Sequence, residues 1–193
     1  MSVSRLSKQS IQTGFPKQQT IWDQSTSVAG MDPISGITLT SSQSSITFSS
    51  IPSTYTHLQV RGIGRFSGSG PAQMQIQFNG DTGSNYATHS LFGDSGATAS
   101  IASTSSTSAT NGIMNGSNAI ANNFGVAVID ILDYANTNKY KTSRSLSGEN
   151  NNTNGYMWFA SGLWQSTSAI TSITLSLPSC FVQYSSFALY GVK

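Results

Sequence analysis

An all-β fold is what this sequence predicts, and three observations carry the prediction. Large apolar residues fall at every second position in the runs within Ser45–Asp81: Ile46 and Phe48, then Leu58, Val60 and Phe66, then Met74, Ile76 and Phe78. A period of two puts one side of an extended chain in a core and the other in solvent. The runs are parted by Pro52 and by Ser67-Gly68-Ser69-Gly70-Pro71, which end strands and bend the chain. Similar turn signals recur to the C-terminus, and no fixed-period repeat points to a propeller or solenoid. The expected architecture is an antiparallel β-sandwich of jelly-roll type, of roughly eight to ten strands, preceded by an extended arm.

The arm is residues 1–36 and the sandwich residues 37–193. Gly14, Pro16, Gly30 and Pro33 mark the arm as extended chain. It nonetheless carries Leu6, Ile11, Phe15, Ile21 and Trp22, and burying each contributes about 1.5–3 kcal/mol. These five are therefore the expected partner-binding residues, laid against another protein or, alternatively, against the chain's own domain as an edge strand.

Within the domain, Ile37 and Leu39 open the first strand and Ile46 and Phe48 lie in the second. Three further strands follow, around Val60, Ile76 and Tyr86–Phe92. Asn79-Gly80 supplies the positive-φ positions of a tight turn. Residues 94–123 hold few large apolar groups and read as an exposed excursion. Gly125–Leu132 is the most apolar run and reads as a central strand buried on both faces. Residues 139–147 read as an exposed or edge strand guarded by lysines. Tyr156–Trp164, Ile170–Leu177 and Ser186–Val192 complete the sheets.

Charged residues are only 8% of the 193, while Ser and Thr make up roughly three in ten. Such a surface suits a protein that faces another protein over much of its area. A net charge of +2, scattered along the chain, is no footprint for nucleic acid. The one cysteine, Cys180, excludes an internal disulfide framework and reads as a buried, inert thiol. No run approaches the length of a membrane span or signal peptide, so no membrane is expected as a partner.

Catalytic signals are weak. Gly93-Asp94-Ser95-Gly96, with His57 and Asp81 upstream, looks like the nucleophile loop of trypsin-like serine proteases. The resemblance covers four residues, and His57 lacks that family's flanking sequence, so turn chemistry is the reading adopted. Asn79, Asp81 and Asn85, or Asp133, Asn136 and Asn138, alternate oxygen ligands as calcium loops do, but no Glu closes either loop. Neither an enzyme nor a cofactor is expected. Among Tyr156, Trp158, Phe159 and Trp164, core packing is the commoner fate, while Trp158 and Trp164 are the candidates for stacking against a glycan.

Three stretches resemble structural proteins of tailed bacteriophages, the marine and cyanobacterial ones in particular. They are Ser45–Leu58 with Phe78–Tyr86, the ending Phe187–Lys193, and the opening Ser4-Arg5-Leu6 with Ser10–Pro16. The resemblance implies a non-enzymatic virion protein made in the host cytoplasm and anchored to the particle through its arm, often as a homotrimer. Its partner would be the major capsid protein or another virion protein. Two roles follow from it: a capsid decoration or cement subunit, or a tail fibre or adhesin that binds a host glycan.

Overall fold

The computed structural model describes residues 30–152 and 154–193. Among them the chain forms twelve strands: β1 (Met31–Thr38), β2 (Gln43–Phe48), β3 (His57–Gly64), β4 (Ala72–Phe78), β5 (Tyr86–Gly93), β6 (Thr98–Ser106), β7 (Ala109–Met114), β8 (Gly125–Leu132), β9 (Lys141–Asn150), β10 (Gly155–Trp164), β11 (Ile173–Phe181) and β12 (Ser186–Val192). They make two antiparallel sheets that pack as a β-sandwich. The larger is ordered β1-β12-β3-β8-β9-β10-β5-β6 and the smaller β2-β11-β4-β7.

The period-two runs do what their pattern predicts. Met74, Ile76 and Phe78 of β4 are buried while the glutamines between them stay half-buried. They pack with Leu58 and Val60 of β3, Ile129 and Ile131 of β8, Leu175 of β11 and Leu189 of β12 in one hydrophobic cluster. At Asn79 and Gly80, with φ of 53° and 66°, the chain turns out of β4, and the Asp81 N–H closes the turn on the Phe78 carbonyl at 2.9 Å. Asn79 also clamps a distant loop, its Oδ1 accepting from the N–H groups of Thr171 at 2.8 Å and Ser172 at 3.1 Å.

The far half of the larger sheet is built differently. Here β7 lies over β9, β10 and part of β5, and apart from Trp158 the side chains beneath it are small: Ser143, Ser145 and Ser147 on β9, Thr88 and Ser90 on β5, Ala160 on β10. Short hydroxyls let the layers approach, and three of them, on Thr88, Ser143 and Ser147, serve as partners for β7. Ser147 Oγ accepts from the Ile113 N–H and Thr88 Oγ1 from the Thr110 N–H, both at 3.0 Å, and Ser143 Oγ donates to Asn111 Oδ1 at 3.0 Å. Gly162 is required by the same closeness, because a Cβ there would lie 2.5 Å from Ser143 Oγ.

Several expectations are corrected. The first strand starts at Met31, so residues 31–36 belong to the sheet and not to an arm. Pro33 is tolerated because β1 is an edge strand with a register shift between Pro33 and Ser35, where a missing N–H costs no ladder bond. The 94–123 segment holds two strands, β6 paired with β5 and β7 with β4. β8 buries one face only, its Val126, Val128 and Leu132 being exposed. β9 is interior, between β8 and β10, and its Lys141 is 0% exposed. Cys180 is half-buried, in the stretch of β11 whose register with β2 shifts between Ser176 and Phe181.

Candidate interaction surfaces

Two features of the larger sheet stand out as candidate interaction surfaces. The first is its outer face. Val128 pairs with Leu146, Leu146 with Phe159, and Phe159 with Leu91, so these four residues form one row across β8, β9, β10 and β5. All four are exposed, Leu146 by 55% and Phe159 by 47%. Ile63 and Val126, paired across β3 and β8, widen the row, as does Met157 on β10. Beside it runs a shallow trough of about 430 Å³, lined by Arg61, Ile63, Val126, Val128 and Ala188 among others. A contiguous apolar row is a candidate contact surface, whereas scattered single residues account for ordinary exposure.

The second is a groove of about 420 Å³ where the tips of the β5–β6 and β9–β10 hairpins meet. Asp94, Ser95, Glu149, Asn152, Asn154 and Tyr156 line it. Asp94 Oδ1 caps its own turn, accepting from the N–H groups of Gly96 and Ala97 at 2.8 Å each, and these bonds hold its carboxyl below the usual range. The two tips are tied together by the Gly155 N–H, which donates to Ser95 Oγ at 3.2 Å. Glu149 is half-buried, and burial pushes its carboxyl up.

A loop braces the groove from behind. Arg65 donates to the carbonyls of Ser117, Ala119 and Ile120, each at 3.0 Å, which shapes the chain between β7 and β8. That loop in turn holds the β9–β10 tip, the Ile120 N–H donating to Asn151 Oδ1 at 2.8 Å. Arg65→Lys is expected to loosen this brace, because one nitrogen would replace the two guanidinium nitrogens that reach these carbonyls from separate positions. Faster amide exchange at residues 117–123 would report it, and unchanged exchange would refute it.

The residues singled out from sequence fare unequally. Leu6, Ile11, Phe15, Ile21 and Trp22 lie outside the described residues. Trp158 and Trp164 are each 3% exposed and present no ring face to a sugar. Trp158 stacks on Phe92 at 4.7 Å beside Ile113, and Trp164 packs against Phe78 at 5.6 Å. Both sit on the inward phase of β10, so the strand's alternation sends them into the core and sends Met157 and Phe159 out. Of the aromatic group, Tyr156 is the one that lines the groove. Glu149 carried no sequence signal beyond its place beside an Asn-rich turn.

The protease-like residues have separate partners. His57 Nδ1 accepts from the Asp133 N–H at 3.0 Å, and Asp81 bonds to Trp164. Several oxygens of the two calcium-like loops are likewise engaged by donors. Asp81 Oδ1 accepts from the Gly83 N–H at 2.8 Å, and Asn136 Oδ1 from the Asn138 N–H at 2.8 Å. Asp133 pairs with Lys139. Among the described residues no three His, Cys, Asp or Glu side chains gather in a metal-binding group.

Asp81 offers a test of the core's edge. Trp164 Nε1 donates to its Oδ2 at 2.7 Å and Asn85 Nδ2 at 2.9 Å. These bonds, the indole's first, hold its carboxyl below the usual range. A carboxyl lowered on folding contributes stability in full above its unfolded value, near 3.9, and loses it as pH falls through the folded value. Trp164 emission is therefore expected to shift as pH drops below about 4, and Asp81→Asn should remove the shift. A shift that persists in the variant would reject the assignment. Nearby Tyr86, whose hydroxyl burial pushes up to about 12, stays protonated throughout.

Fold and surfaces together define a two-layer antiparallel β-sandwich with a broad apolar outer face and a polar groove at one end. Comparison with protein-family models, with curated proteins and with solved structures returns no match.

Proposed function

We propose that this chain is a non-enzymatic structural subunit of a bacteriophage particle, a decoration or cement protein seated on the major capsid protein. The observation that carries this reading is the exposed row Val128, Leu146, Phe159 and Leu91. A solvated face gains nothing from such a row, whereas a face held against another protein gains about 25 cal/mol for each Å² of apolar area removed from water. The few charges and many hydroxyls of the surface suit the same setting. Residues preceding the sheet would anchor the subunit, with a trimer as its oligomeric form.

The strand order supports a jelly-roll reading. β1-β12-β3-β8 faces β2-β11-β4-β7, and along these eight strands the chain changes sheet at each step except from β4 to β7, which pair together. Two Greek keys folded over one another have this order. The β5–β6 and β9–β10 hairpins are then insertions that extend one sheet and create both surfaces described above.

A tail fibre or adhesin subunit is the second reading, favoured by the groove at the hairpin tips. Imaging of particles with the subunit labelled separates the two. Hundreds of copies over the head are expected. A few copies at the tail would transfer the assignment to the adhesin, and absence from particles would end both.

A further inference from the structure

The groove at the hairpin tips has a chemistry of its own. Its lining carries two carboxyl groups, side-chain amides, a serine hydroxyl and a tyrosine ring, and no cationic side chain among the described residues. Glu149 has no hydrogen bond or ion pair there, although it is half-buried and stands between this groove and a smaller cavity of about 60 Å³ that Asn154 and Tyr156 also line. Asp94 spends Oδ1 on its own turn and has Oδ2 left. Both carboxyls thus keep acceptor oxygens open to the groove, where a ligand's donors can take the place of water.

We propose that this groove binds a non-acidic saccharide, a neutral or amine-bearing sugar ring whose hydroxyl or ammonium groups donate to Glu149 and Asp94 while its apolar face rests on Tyr156. The volume of about 420 Å³ lies within the range of small-molecule sites. Amides of Asn152 and Asn154 both donate and accept, as a ring bearing alternating hydroxyls demands. Two carboxyls with no neighbouring cation repel sialic and uronic acids, so the site selects by charge. An aromatic face supplies the apolar half of the contact.

This inference deepens the adhesin reading and rests on it for biological setting alone; binding is a property of the isolated chain. Full-length protein would be titrated against neutral, amine-bearing and acidic oligosaccharides. Binding of the first two classes and not the third is expected, with Glu149→Gln weakening it at least tenfold at unchanged melting temperature. Saturation-transfer NMR on the unmutated chain should place sugar protons beside the Tyr156 ring, which guards against a variant that misfolds. No binding, preference for acidic sugars, or binding indifferent to Glu149→Gln would overturn the proposal. A head location would end the adhesin reading and leave such binding standing. A tail location without sugar binding would do the reverse.

Discussion

Lys141→Met is expected to lower the unfolding free energy by at least about 3 kcal/mol, and the melting temperature by roughly 6–12 °C for a chain of this size. Lys141 opens β9 and points inward, where it is wholly buried. Its ammonium has three protons, and Nζ gives them to the carbonyls of Asn136 at 2.5 Å, Lys139 at 2.9 Å and Thr167 at 3.1 Å. Burial pushes its pKa down, the mark of a charge that is expensive to desolvate. Methionine keeps the length and the packing of the stem but removes three charge-assisted hydrogen bonds, each contributing about 1.5–3 kcal/mol. Urea unfolding monitored by tryptophan emission measures the change. A loss below about 1 kcal/mol would mean that water reaches those carbonyls and that the knot is ornamental.

Replacing Leu146 and Phe159 together by Glu is expected to weaken attachment to the particle at least 100-fold while leaving the melting temperature within a few degrees. Each side chain is about half exposed, so completing its burial in a contact contributes about half of the 1.5–3 kcal/mol of full burial. The pair therefore supplies on the order of 1.5–3 kcal/mol, and two carboxylates trapped without partners add several more against binding. A factor of ten corresponds to 1.4 kcal/mol, which sets the floor of the prediction. The fold is spared because neither residue points into the core. Co-sedimentation of the variant with stripped particles is the measurement. Undiminished binding would show that the row is not the docking face.

Both predictions rest on features that strand periodicity alone does not yield. The alternation in β4 announces its buried side because Met74, Ile76 and Phe78 stand against glutamines, and Asn79-Gly80 announces its turn because few other pairs adopt two successive positive φ angles. Along β9 the same alternation misleads. Its one large apolar residue, Leu146, faces solvent, and its serines face inward beneath β7, where Ser147 Oγ accepts from the Ile113 N–H and Ser143 Oγ donates to Asn111 Oδ1. In β10 the tryptophans and Phe159 are equally apolar, and the phase that decides which goes in is set by register with β9 and β5. The 94–123 segment reads as loop for a related reason: β6 is held by its ladder to β5 with no large buried side chain, and β7 contributes only Ile113 and Met114 at its end.

Residue order was thus enough for the β class, for a sandwich built around the strands of Ser45–Asp81 and the apolar run Gly125–Leu132, and for the tight turn after β4. It left open which side of β9 and β10 is the inside, that Lys141 is buried, and that Asp94 and Glu149 share a groove. A period of two distinguishes the faces of a strand but does not rank them. The ranking is made by whatever element lies across each face, and that neighbour comes from a distant part of the chain.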